Sequence, residues 1–248
     1  MEKDILEKET DAHQQTRVPM NAWKRLVSVL TSPRQTFEDI VAHPHFAAGL
    51  TALCTLNLLI ILLNLPKVKA FTIWAFEQQA VQMPPGAAVA KEMAATVAMV
   101  AAAFAAVAGP ILFSLLMAVL LFFFGYLVQN RAPFRTLFAV SVFAYVPATI
   151  ASIVQSALIA FRPAENLKGV TTSLAMFLPE GAEGLLHRIL SLIDPLGLWT
   201  LALVALGGAV AYKTGFCKAA VYLLILWVIY IAANAAIQSF LPGGAGGI

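Results

Sequence analysis

Five apolar tracts dominate the chain: residues 46–65, 93–128, 136–160, 196–212 and 219–241. None has a charged residue in its middle. A helix needs about 20 apolar residues to cross a hydrocarbon core about 30 Å thick. The pattern therefore predicts an all-α polytopic membrane protein with five transmembrane helices. Only 12% of its residues are charged, against about 25% in a soluble domain. The lipid bilayer is the first partner the sequence implies. Intramembrane charges usually mark ion paths and proton relays, and their absence argues against ion coupling.

The organisation reads as a polar arm (1–20), amphipathic interfacial helices (21–45), a five-helix membrane domain (46–241) and a Gly-rich tail (242–248). The first 20 residues lack the apolar core of a cleavable signal. Short inner loops carry the excess of Lys and Arg. The turns QNRAPFR (129–135) and KTGFCK (213–218) each hold two basic residues and no acid. They place the N-terminus in the cytoplasm and the C-terminus outside. Cys217 then faces the cytoplasm and the tail LPGGAGGI the outside.

The tract 93–128 holds 36 residues, too many for one simple crossing. Two short spans turning at Gly109-Pro110 would leave backbone groups unpaired in lipid. One long helix kinked near Pro110 is the better expectation. Its alanines 94, 98, 102 and 106 share a face and admit a close neighbour. That face, like Ala232 and Ala236 on the fifth span, fits intramolecular packing or a homo-oligomer equally.

Two amphipathic helices are expected in the lead. Trp23, Leu26, Val27 and Leu30 share a face, with Lys24, Arg25 and Ser28 off it. Ser32 has the sequence of an N-cap, with Pro33 at the first helical position and Gln35 completing a capping box. Phe37, Ile40 and Val41 form the next apolar face, opposite Glu38 and Asp39. Trp23, Leu26, Leu30, Phe37 and Ile40 should then make one apolar surface under the bundle, a candidate docking site for another integral membrane or envelope protein. Two long outer loops are expected at 67–92 and 164–194. The first carries the aromatics Phe71, Trp74 and Phe76. The second has Leu167, Val170, Leu174 and Phe177 at helical spacing, then Leu185, Leu186, Ile189, Leu190 and Ile193.

No catalytic set assembles, so an enzyme is not expected. His43 and His45 flank Pro44 without a third metal ligand nearby. No phosphate-binding loop, zinc-protease or serine-hydrolase motif occurs. No cofactor is implied, and no basic stripe with interleaved aromatics suggests nucleic acid. Gly207-Gly208 reads as close helix packing. Asp194-Pro195 reads as the N-cap of the fourth span. Ser141, Tyr145, Thr149, Ser152 and Ser156 recur at three- or four-residue steps and give the third span a polar side. Such a side binds helices together or lines a solute path. Pro147 should kink the same span.

These landmarks resemble the Yip1 family: SPRQTFEDI (32–40) in the lead, five spans with a long loop after the first, Ala144-Tyr145-Val146-Pro147 in the third, DPLGLW (194–199) opening the fourth, and Lys218-Ala219 opening the fifth. The resemblance covers roughly residues 25 to 240. It favours the prokaryotic branch, because the Asp-Leu-Tyr-Gly-Pro signature of the eukaryotic members is missing. Those members act in vesicle traffic and small GTPase binding. The resemblance supplies the fold more than the function; the role expected here is that of a non-enzymatic interaction or accessory subunit of a membrane or envelope assembly, such as a transport complex. A transporter or channel for a small neutral or apolar solute is the alternative.

Overall fold

A computed structural model describes residues 19–79, 87–163, 167, 170–178 and 184–240. The polar arm up to residue 18, Pro84-Pro85-Gly86 and the Gly-rich tail lie outside the described residues. The lead forms α1 (Ala22–Thr31) and α2 (Pro33–Ala42). Then come α3 (Ala47–Gln79), α4 (Ala87–Leu127), α5 (Phe134–Ala144), α6 (Val146–Ala160), α7 (Leu185–Ser191), α8 (Pro195–Ala211) and α9 (Phe216–Phe240). Four of the spans, with α5 and α6 taken together, are long and apolar enough to cross a membrane, and α8 is a shorter apolar helix. Among the described residues every regular element is helical.

The long second tract is one helix of 41 residues running through Pro110. At 1.5 Å per residue it is about 60 Å long. It pairs with α3, which has 33 residues, and with α5. The stretch after the first span is therefore mostly not the expected loop. Helix α3 continues through Pro66 to Gln79, and α4 begins at Ala87. Ion pairs from Lys69 to Glu92 (3.0 Å) and from Lys91 to Glu77 (2.8 Å) clamp this hairpin. Phe71 and Trp74 stack on it at 5.8 Å. The hairpin rises about 18 Å beyond Lys67.

The third span breaks at Tyr145, as Pro147 predicted. Proline has no N–H for the carbonyl four residues back, and Tyr145 N–H turns instead to the Val142 carbonyl at 3.3 Å. The turns after the second and fourth spans end alike. Gln129 and Lys213 take positive φ of 52° and 49°. The next amides, of Asn130 and Thr214, close back on Gly125 and Ala209, a left-handed helix ending. Asn130 Nδ2 donates to the Tyr212 carbonyl at 2.7 Å and ties the two turns together.

The lead differs most from expectation. It packs against α3, α5, α6 and α8. Phe37, Ile40, Val29 and Thr36 are fully buried, with Leu26 and Leu30 packed against them. Trp23 and Val27, expected on the same face, are 71% and 66% exposed. Arg25, expected off that face, is buried. Asp39, expected opposite the apolar face of α2, turns in to meet it. The buried side of α1 thus carries Arg25 and Val29, with Leu26 and Leu30 beside them. The expected capping box is also absent. Ser32 makes no side-chain cap, and its carbonyl takes both the Thr36 amide and its hydroxyl. Asn21 caps α1 instead, accepting from the Lys24 amide at 2.8 Å.

The second outer loop is less helical than expected. Residues 174–177 form a 3-10 turn and α7 is seven residues long. Thr171 accepts from the Ser173 amide and Ser173 from the Ala175 amide. Such local bonds offer the backbone an alternative to helix. Asp194 caps α8 as expected, accepting from the Leu196 amide at 3.1 Å, and it also takes the Thr172 hydroxyl.

Candidate functional site

Two polar constellations sit inside this apolar bundle. The first locks the lead. Arg25 Nε and Nη2 each lie 2.8 Å from Asp39 Oδ2, and Nη1 donates to the His45 carbonyl at 3.0 Å. The guanidinium lies 5.8 Å from the centre of the Phe143 ring. Asp39 also accepts the Met20 amide at 3.2 Å. The arginine and aspartate side chains are only 2% and 11% exposed. Taking charges out of water is costly unless they are paired and hydrogen-bonded, and this pair is both. It joins α1, α2, the start of α3 and the third span at one point.

The second constellation lies toward the far end, between the first and third spans, which run in parallel. Asn57 Nδ2 donates to Thr149 Oγ1 at 3.2 Å, and Asn64 Nδ2 to Ser156 Oγ at 2.6 Å. Lys67 Nζ donates to the Arg162 carbonyl at 2.7 Å. Each asparagine also bonds its own helix. Beside this ladder a cavity of about 520 Å³ opens between α3, α4 and α6. Its polar lining is Asn57, Asn64, Tyr145, Ser152, Gln155 and Ser156, with Ala102 and Ala106 on the α4 wall. Lys67, Phe71 and Leu167 stand at the mouth, and Gln155 Nε2 donates to the Val170 carbonyl at 3.4 Å. Among the described residues no carboxylate lines it. Such a lining can hydrogen-bond water or a neutral solute.

The polar side expected on the third span is thus divided by the fold. Tyr145, Ser152 and Ser156 line the cavity. Thr149 is buried and takes the Asn57 bond. Ser141 is fully buried at the lead end and bonds the Leu137 carbonyl of its own helix. The cavity also recruits Asn57, Asn64 and Gln155. Their amides were visible within the tracts, but periodicity along one helix could not pair them across two. Among the candidate docking residues, Leu26, Leu30, Phe37 and Ile40 are taken up by the bundle, which leaves Trp23 exposed. Among the described residues no group of three or more His, Cys, Asp or Glu is placed to hold a metal ion.

Self-satisfied apolar helices, a polar ladder between them and an ion-paired lead together define an integral polytopic membrane protein. The chain belongs to the Yip1 family, whose Yip1 domain matches residues 27–237. No curated protein and no solved structure matched it.

Proposed function

We propose that the protein is a non-enzymatic interaction or accessory subunit of a membrane or envelope assembly, such as a transport complex. In this reading it sits in a bacterial cytoplasmic membrane with its lead in the cytoplasm. The observation that carries it is the α3–α4 hairpin. A crossing needs about 20 residues, and these helices have 33 and 41. The excess lies at the end bearing Lys67, Lys69, Glu77, Lys91 and Glu92, and it is tied by interhelical ion pairs. A solute pathway has no need of such an extension, whereas a docking element does. Val89, Met93 and Val97 lie on one side of α4 there and are 64–70% exposed.

The test is purification in mild detergent with identification of stoichiometric co-purifying chains. Val89→Asp with Met93→Asp should release a partner while the protein stays inserted and monodisperse. Retention of every partner by that variant refutes the hairpin as the docking element. The alternative, a transporter or channel for a small neutral or apolar solute, is favoured by the 520 Å³ cavity. Loss of flux in Gln155→Leu at unchanged thermal stability would decide for it.

A further inference from the structure

We propose that the lead end of the bundle binds an anionic phospholipid, its phosphate in a cleft between α1, α3 and α5 and an acyl chain in the groove that adjoins it. The cleft measures about 550 Å³ and is lined by Asn21, Arg25, His45, Ala47, Ala48 and Arg135, among others. Among the described residues no carboxylate lines it. Arg25 is spent on Asp39 and the His45 carbonyl. Arg135 is exposed and, among the described residues, has no ion-pair partner. It is therefore a cation without an ion-pair partner, among the described residues, at the wall of a cavity with no described carboxylate to compete for it. The first turn of α3 adds to it. Ala47 and Ala48 are exposed, and the preceding Phe46 has no side-chain acceptor for their amides.

A cationic cleft alone would take any phosphate. The adjoining groove selects a lipid. It measures about 470 Å³ and is lined by Phe46, Leu115, Phe134, Arg135 and Phe138. Phe46 and Arg135 belong to both spaces, so cleft and groove meet. Phe46 packs edge-on against Phe138 at 4.9 Å. Leu115 and Phe134 remain 44% and 41% exposed on the second and third spans, where the surface faces lipid. A polar cleft at the first turns of two membrane helices, running into an aromatic groove along them, matches a headgroup and its chain. Free phosphate would leave the groove unused. Basic pockets between membrane helices are known to take such headgroups.

The experiment uses the full chain in mild detergent, with phosphatidylglycerol or phosphatidylcholine added in mixed micelles. Native mass spectrometry reads the lipid retained, and thermal unfolding reads the stabilisation. The wild type should retain phosphatidylglycerol preferentially. Arg135→Gln should weaken that retention roughly fivefold, the worth of one basic residue at an anionic surface, without changing the phosphatidylcholine result. Arg135→Lys should keep most of it, and Arg131→Gln, four residues away and outside the cleft, should keep it all. Phe134→Ser should also weaken retention, through the groove. If Arg135→Gln fails to fold, the lipid preference of the wild type and the Phe134→Ser result decide. Equal retention of the two lipids by the wild type, an unchanged affinity in Arg135→Gln, or full stabilisation by inorganic phosphate alone would overturn the proposal.

Discussion

The two ends of the bundle are built differently. At the lead end, side chains from α1, α2, α5 and α8 pack closely in the interior behind the lipid cleft. Phe37, Ile40, Val29, Leu137, Val140 and Phe143 are fully buried. A Cβ at Gly207 would strike Val140 and come within 3.0 Å of Phe37, and one at Gly208 would lie 2.6 Å from Leu121. At the far end, buried positions in the first and third spans are polar, a 520 Å³ cavity remains, and α3 and α4 extend past it as a two-helix arm. The spans differ in the same way. In its most apolar window the third is 56% buried and the fifth 11%. Lipid tails are as apolar as leucine, so burial between spans gains little by itself. Association must come from close packing, hydrogen bonds or charge. The lead end uses close packing and one ion pair, while the far end uses a short ladder of side-chain bonds and leaves space. The contrast teaches that the lead is part of the membrane domain's packing, and that the far end holds its spans together by polar side chains bordering a cavity.

That contrast can be broken by measuring unfolding in detergent. The largest effect is expected at the lead end from Arg25→Met, which strands Asp39 and should cost about 3–5 kcal/mol. Adding Asp39→Leu should recover much of the loss, since an apolar pair can replace a buried ion pair. A double variant no better than the single one would mean that Arg25 acts through packing on Phe143, not through charge. Next comes Gly207→Val, which overfills the contact with Val140 and Phe37 and should cost about 1–3 kcal/mol.

The far end should respond more weakly. Asn64→Leu removes the bond to Ser156 and should cost about 1 kcal/mol or less. If it costs as much as Arg25→Met, the two ends are equally demanding and the comparison fails. Smallest of all is Trp23→Ser. The side chain is exposed, so stability should stay within about 0.5 kcal/mol. A co-purifying partner lost from Trp23→Ser at unchanged stability would restore α1 as a docking surface and sharpen the division of labour. The same reading cannot be taken from Phe37→Ser, because Phe37 is fully buried and its loss should compromise folding.

Much of this was determined by the sequence alone, because the features concerned are local. An apolar tract must satisfy its own backbone in lipid, so the five tracts become helices whatever their neighbours do. Pro147 interrupts the third span through its missing N–H, Asp194 caps the fourth through its own carboxylate, and Gly207-Gly208 admits a close neighbour because it has no side chain. Other features needed the tertiary structure. The pattern in α1 placed Trp23 inward and Arg25 outward, and the fold reversed them because Asp39, 14 residues on, supplies the partner that makes burial of a charge tolerable. The capping box at Ser32 failed because Ser32 also ends α1: its N–H is already bonded to the Ser28 carbonyl, and its ψ of 62° is not the extended one of an N-cap. The outer stretch became a hairpin in which α3 continues past Pro66 beside α4, with Lys69 and Glu77 meeting Glu92 and Lys91 across the two helices. The cavity needed Asn57 and Asn64 from one span beside Ser152, Gln155 and Ser156 from another, 88 to 99 positions apart. Periodicity reports which face a residue shares within its own helix. Which face of which helix it meets is a property of packing, and only the folded chain decides it.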